Sequence, residues 1–185
     1  MKGKNLKIEL PQGKRYVYET DEMMPNLCTQ LLCVGAKGMG KTIAIVNLVK
    51  KLNFDRIFLI SPTAKSNHSI LSMINIEEED MYEDTEDLTI IDDIIKKVEE
   101  EGRLYDEYHE KMKEYNIFEK KIKNNQFSLI SDEDLETFMN DNNEIEKPEH
   151  YLDGRRPKIA CIFDDILGSY LMSKGIRKVN NLAIK

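Results

Sequence analysis

No apolar run in the sequence comes near the 18 or so residues that a membrane-spanning helix needs, and Met1-Lys2-Gly3-Lys4 does not open a signal peptide. Nothing therefore points to a membrane or to export, and an intracellular protein is expected. Cysteine is scarce. Cys28, Cys33 and Cys161 form no C-x-x-C pair, which argues against a disulfide framework and against a zinc site. Two of them sit in apolar runs of strand length, so reduced, buried thiols are expected. The three histidines, His68, His109 and His150, are scattered among polar residues, where a surface role is expected for each. An excess of positive charge is missing too. The formal net charge of -7 argues against a chain whose whole surface grips nucleic acid, although it leaves room for a local basic channel formed by an oligomer.

What is present suits one domain: 185 residues, 41% apolar and 33% charged, enough to bury a real core. Its organising stretch is Gly35-Ala36-Lys37-Gly38-Met39-Gly40-Lys41-Thr42, which fits the phosphate-loop pattern G-x-x-x-x-G-K-[ST] at every fixed position. An apolar run of strand length, Leu31-Leu32-Cys33-Val34, precedes it. A run of helix length rich in Ile, Val and Leu follows, from Thr42 to Leu52, and is expected to lie buried beside a sheet. Glycines let successive N–H groups curl round phosphates, and the helix N-terminus adds partial positive charge. Lys41 is expected to reach the β and γ phosphates and Thr42 to give its hydroxyl to Mg²⁺.

Residues 1–26 alternate weakly at Leu6-Lys7-Ile8-Glu9-Leu10 and at Tyr16-Val17-Tyr18, and read either as a small β element or as an unstructured leader. Residues 27–185 form the expected nucleotide-binding core. Its class is α/β: residues 31–34, Ile57-Phe58-Leu59-Ile60 and Ile159-Ala160-Cys161-Ile162-Phe163 read as strands of a parallel sheet flanked by helices. Roughly 100 residues separate Ile60 from Ile159, more than one crossover helix needs, so residues 77–157 are expected to be an insertion. It opens with Glu77-Glu78-Glu79-Asp80, which reads as a solvated loop. Two apolar stripes follow, Ile90, Ile91, Ile94, Ile95 and Val98, then Leu104, Tyr105, Tyr108, Met112, Tyr115 and Phe118. They predict two antiparallel helices turning at Glu101-Gly102, with the aromatics as core. Ser131 is placed to cap a short helix that carries Leu135, Phe138 and Met139 inward.

The strand at residues 159–163 runs into Asp164-Asp165, the form of a Walker B element that delivers a carboxylate to the sheet edge where the phosphate loop lies. Asp164 is expected to assist the metal, and Asp165 to polarise an attacking water as general base. Asp165-Ile166-Leu167-Gly168 matches the D-x-x-G of GTPases, but no N-K-x-D guanine-reading motif occurs, so ATP is the expected nucleotide. Arg155 and Arg156 are weak candidates for an arginine finger, because a basic polar turn before a strand explains them better. Ser61-Pro62-Thr63 follows the second strand at the same sheet edge. A hydroxyl there could sense a γ phosphate, whereas a turn that stops the strand is the plainer reading.

Together the loop at residues 35–42, the segment Arg56-Ile57-Phe58-Leu59-Ile60-Ser61-Pro62-Thr63 and the ending Phe163-Asp164-Asp165-Ile166 resemble the DNA-packaging ATPases of large double-stranded DNA viruses (poxvirus-type), in the FtsK/HerA division of P-loop motors. The resemblance implies an ATP-driven, Mg²⁺-dependent hydrolase that forms a homo-oligomeric ring and pumps double-stranded DNA into capsids. It also implies a capsid or portal protein as partner and a place in the host cytoplasm or the virion. In such motors a further strand, later in sequence than Walker B and ending in a polar sensor, lies between the phosphate-loop and Walker B strands. The chain reaches Lys185 without one. Either it is an amino-terminal fragment, with the sensor beyond Lys185, or its Walker B strand pairs directly with the phosphate-loop strand. Two rival functions fit less of the pattern: a nucleotide or small-molecule kinase, which would need a basic lid, and a nucleotide-dependent interaction module without turnover.

Overall fold

The central strand β1 (Arg56–Ile60) is apolar on both faces because both faces are covered. Pleating sends Ile57 and Leu59 to one side, against Val46 and Val49 of helix α1 (Lys41–Leu52) and Ile162. It sends Phe58 and Ile60 to the other side, against Ile90, Ile91 and Ile94 of helix α2 (Thr89–Lys123) and Leu171 of helix α4 (Tyr170–Lys174). In this computed structural model residues 30–36, 38–64, 66, 72–140, 144–175 and 177–179 are described. The expected β element of residues 1–26, together with Cys28, Lys37, His68, Ile176 and Leu182, lies outside them.

The sheet has three parallel strands in the order β2-β1-β3, with β2 (Met81–Tyr82) and β3 (Ile159–Phe163) on either side of β1. The α/β class and two of the three expected strands are therefore present. The third is not: residues 31–34 are irregular, with Leu32 and Val34 more than four-fifths exposed, and Cys33 is exposed rather than buried. An apolar run becomes a strand only where it finds a partner edge, and these residues pair with neither β3 nor any other described strand. Direct pairing of β3 with the phosphate-loop run is thus not observed. Helix α1 has the expected bounds but buries one face, Val46, Val49 and Leu52, and leaves Ile43 half exposed.

The insertion departs further from expectation. Residues 89–123 form one helix of 35 residues, about 52 Å long at 1.5 Å per residue, and not a hairpin turning at Gly102. Gly102 costs an α-helix only about 1 kcal/mol, and the surrounding Glu, Lys and Arg favour helix. Arg103 also pairs with both Glu100 and Glu107 across that point. The first half of α2 covers the sheet. The second half forms an arm with helix α3 (Asp132–Phe138), where fully buried Phe118 meets Phe138 at 5.4 Å between ring centroids and Lys121 pairs with Asp134 at 2.8 Å. Helix α3 starts as expected, in a capping box of Ser131 and Asp134, but it turns Phe138 inward while Leu135 stays partly exposed.

The acidic run is not simply a solvated loop. Glu78–Asp80 is a 3-10 turn in which Asp80 is fully buried, held by Arg56 and Lys97. It leads straight into β2, a strand too short to read from pattern.

Candidate functional site

Helix α1 begins at Lys41, and the loop that enters it is shaped by two glycines in the left-handed region, Gly38 at φ 81° and Gly40 at φ 79°. An L side chain at either would be strained, so the G-x-G-K spacing has a direct backbone reason here. Ala44 N–H donates to Gly40 carbonyl at 2.9 Å, which closes the first turn. The N–H groups ahead of it are left pointing out of the helix start. Gly35, Ala36, Gly38 and Met39 are exposed, and Lys37 lies outside the described residues. Lys41 folds back over the loop, its Nζ donating to the carbonyls of Gly35 at 3.0 Å and Ala36 at 3.3 Å. The ammonium is thus held against the loop by neutral acceptors that an anion would outcompete.

Strand β3 brings the other half. Its ladder with β1 continues one residue beyond the strand, Asp164 N–H donating to Ile60 carbonyl at 3.0 Å. The alternation that points Ile162 toward α1 points Asp164 the same way, to the start of that helix. There Thr42 Oγ1 donates to the Asp164 carboxylate, 3.2 Å to Oδ2 and 3.5 Å to Oδ1, across 122 residues of sequence. Asp164 is buried, and among the described residues only Thr42 donates to its side chain. One hydroxyl and one carboxylate so placed suit Mg²⁺, which takes few protein oxygens and fills its octahedron with phosphate and water.

Asp165 follows at φ 56°, leaves the strand and is exposed. Aspartate tolerates the left-handed region better than most residues. Its carboxylate faces solvent beside the Thr42–Asp164 contact in sequence, and no described side chain engages it.

The other expected candidates lie elsewhere. Arg155 makes a two-point ion pair with Asp55, 2.6 and 2.7 Å, at the N-terminal edge of the sheet, opposite Asp164. Burial pushes the Asp55 carboxyl up, but the hydrogen bond from Arg155 and its charge outweigh this and hold it below the usual carboxylate range. Arg156 lies over the Tyr105 ring. Arg155 is therefore engaged at the sheet edge opposite Asp164 and Arg156 on α2. Burial drives the Cys161 thiol up to about 12, so it stays a thiol. His109 and His150 are half-buried and not the surface groups expected: His109 Nε2 donates to the Gly154 carbonyl at 3.0 Å and packs on Tyr105, while His150 packs among Tyr108 and Tyr151. The concavities lined by Tyr108 with His109 and by Tyr108 with His150 belong to that arm and include neither Thr42 nor Asp164.

The sequence motif of Ser61 and Thr63 takes on a definite position. Ser61 is fully buried at the C-terminal end of β1, its N–H donating to Tyr82 carbonyl at 2.9 Å and its Oγ lying 3.2 Å from Thr63 Oγ1. Compared with protein-family models, with curated proteins and with solved structures, the chain matches none of them.

Proposed function

We propose that this chain binds and hydrolyses Mg-ATP as the motor subunit of a viral DNA-packaging ATPase. The observation that carries the nucleotide half is the Thr42–Asp164 hydrogen bond, because it joins the two motifs at the point where the reading needs a metal ligand set. Loop N–H groups and the Lys41 ammonium hold the β and γ phosphates, and Thr42 and Asp164 hold Mg²⁺. Mg²⁺ held by these two residues would supply charge neutralisation to the phosphates. Asp165 orients and polarises the attacking water. The packaging half, with its ring of copies, double-stranded DNA and a capsid or portal partner, rests on the likeness of residues 35–42, 56–63 and 163–166 to such motors. Among the described residues no helix is long and apolar enough to cross a membrane.

Binding and turnover of Mg-ATP by wild type, Lys41→Ala and Asp165→Asn test the reading. Lys41→Ala should lose binding, and Asp165→Asn should bind but not turn over. Turnover that survives both substitutions, or a wild type that binds no Mg-ATP, overturns it. One observation favours a second reading: the arm built on the second half of α2 leaves the sheet and offers a surface to a partner. Tight binding without hydrolysis, even with double-stranded DNA added, would favour a nucleotide-dependent interaction module.

A further inference from the structure

Two neighbouring strands change character at the same row. Along β1 the positions facing α1 run Ile57, Leu59, Ser61, and along β3 they run Ala160, Ile162, Asp164. The register pairs Ile60 with Phe163, so Ser61 and Asp164 come next, side by side at strand spacing of about 4.8 Å. Asp164 meets Thr42 at the start of α1, and Ser61 is the neighbour of Asp164 in this row. Ser61 is fully buried, and burying a hydroxyl costs free energy unless it is satisfied. Ser61 Oγ accepts from Thr63 N–H at 3.3 Å and lies 3.2 Å from Thr63 Oγ1, so the pair is fixed as a unit. Thr63 is the more open of the two.

We propose that the Ser61–Thr63 hydroxyl pair reads the terminal phosphate of the nucleotide: Thr63 touches it and Ser61 positions Thr63. A turn that merely stops β1 needs no second hydroxyl, nor a place in the row of Asp164. The proposal rests on the nucleotide-binding reading above and adds to it a triphosphate-against-diphosphate discrimination. A hydrogen bond to a charged oxygen is strong enough to shift affinity about tenfold.

The test measures the affinity of the full chain for Mg-ADP and for the non-hydrolysable analogue Mg-adenylyl imidodiphosphate, so it needs no turnover. Wild type should prefer the analogue. Thr63→Ala should weaken the analogue about tenfold and leave ADP unchanged, Thr63→Ser should restore the preference, and Ser61→Ala should act in the same direction as Thr63→Ala. If Ser61→Ala fails to fold, the two Thr63 variants decide alone. Equal losses for both nucleotides, no loss for either, or a wild type without preference overturns this proposal and leaves the parent reading standing. A wild type that binds neither nucleotide overturns both.

Discussion

Arg56 and Asp80 form a two-point ion pair, Nε to Oδ2 at 2.7 Å and Nη2 to Oδ1 at 3.0 Å, with the Asp80 carboxylate closed off from solvent. Lys97 Nζ adds a third donor at 2.9 Å, and Arg56 reaches on to Glu101 at 3.0 Å. The start of β1, the turn before β2 and the middle of α2 are thereby tied at one point. Arg56 also lies over the Phe58 ring, 5.1 Å from its centroid.

Removing the Asp80 charge should expose how much this junction contributes. Burial pushes its carboxyl up, but hydrogen bonds from Arg56 and Lys97 outweigh burial and hold it below the usual range. A depressed folded value means that the stabilisation is present above the unfolded value, about 4, and is lost as pH falls through the folded one. Asp80→Asn should cost about 2 kcal/mol in urea unfolding at pH 7, since it removes the buried carboxylate that Arg56 and Lys97 share and leaves them only the more open Glu79, Glu101 and Asp93. Below about pH 4 the gap between wild type and variant should shrink.

Gly102 tests the continuity of α2. A Cβ there would meet nothing within 4 Å, and the backbone is helical. Gly102→Ala should therefore raise stability by about 1 kcal/mol in chemical unfolding. A hairpin turning at this glycine would instead be weakened by the same substitution.

The parts legible in the sequence are those decided locally. Residues 57–60 and 159–163 are continuous apolar runs, and a strand covered on both faces needs nothing else to be recognised. The Ser131–Asp134 capping box is complete within four residues. Apart from the continuity of α2 through Gly102, the failures are decided at a distance. Asp80 looks like its acidic neighbours, and Arg56, 24 residues earlier, and Lys97, 17 residues later, make it a core residue. Met81–Tyr82 is a strand because the Leu59–Ile60 edge is there to pair with. Residues 31–34 have strand composition but no partner edge among the described strands, so they stay irregular. At the candidate site the motif identified the residue types, while the contact of Thr42 with Asp164 depended on the pleat of β3 and its register with β1.

Gly154 stands where the arm closes. It has φ 77°, and a Cβ on it would lie 2.6 Å from Tyr108 Cε1. Gly154→Ala should cost about 1 kcal/mol or more from the left-handed backbone alone, with the displacement of Tyr108 added to that. In a Tyr108→Ala background the packing part should vanish and the backbone part remain. A double-mutant cycle in urea separates the two.

On the proposed function, Asp164 serves a ligand at the expense of the folded chain. A carboxylate buried beside one hydroxyl donor is poorly compensated, and Thr42 reaches it at 3.2 Å, longer than a strong charge-assisted contact. Asp164→Asn removes the buried charge and keeps the shape, so without nucleotide the variant should melt no lower than wild type, and higher if the charge is unfavourable. Ligand that binds only the folded state raises the midpoint in proportion to RT ln(1 + [L]/Kd). Wild type should therefore gain thermal stability from ATP with Mg²⁺ beyond that from ATP with excess chelator, and Asp164→Asn should show no such Mg²⁺-dependent increment. A variant that melts lower and still responds to Mg²⁺ would show that the Thr42–Asp164 contact holds the fold together and takes no part in metal binding.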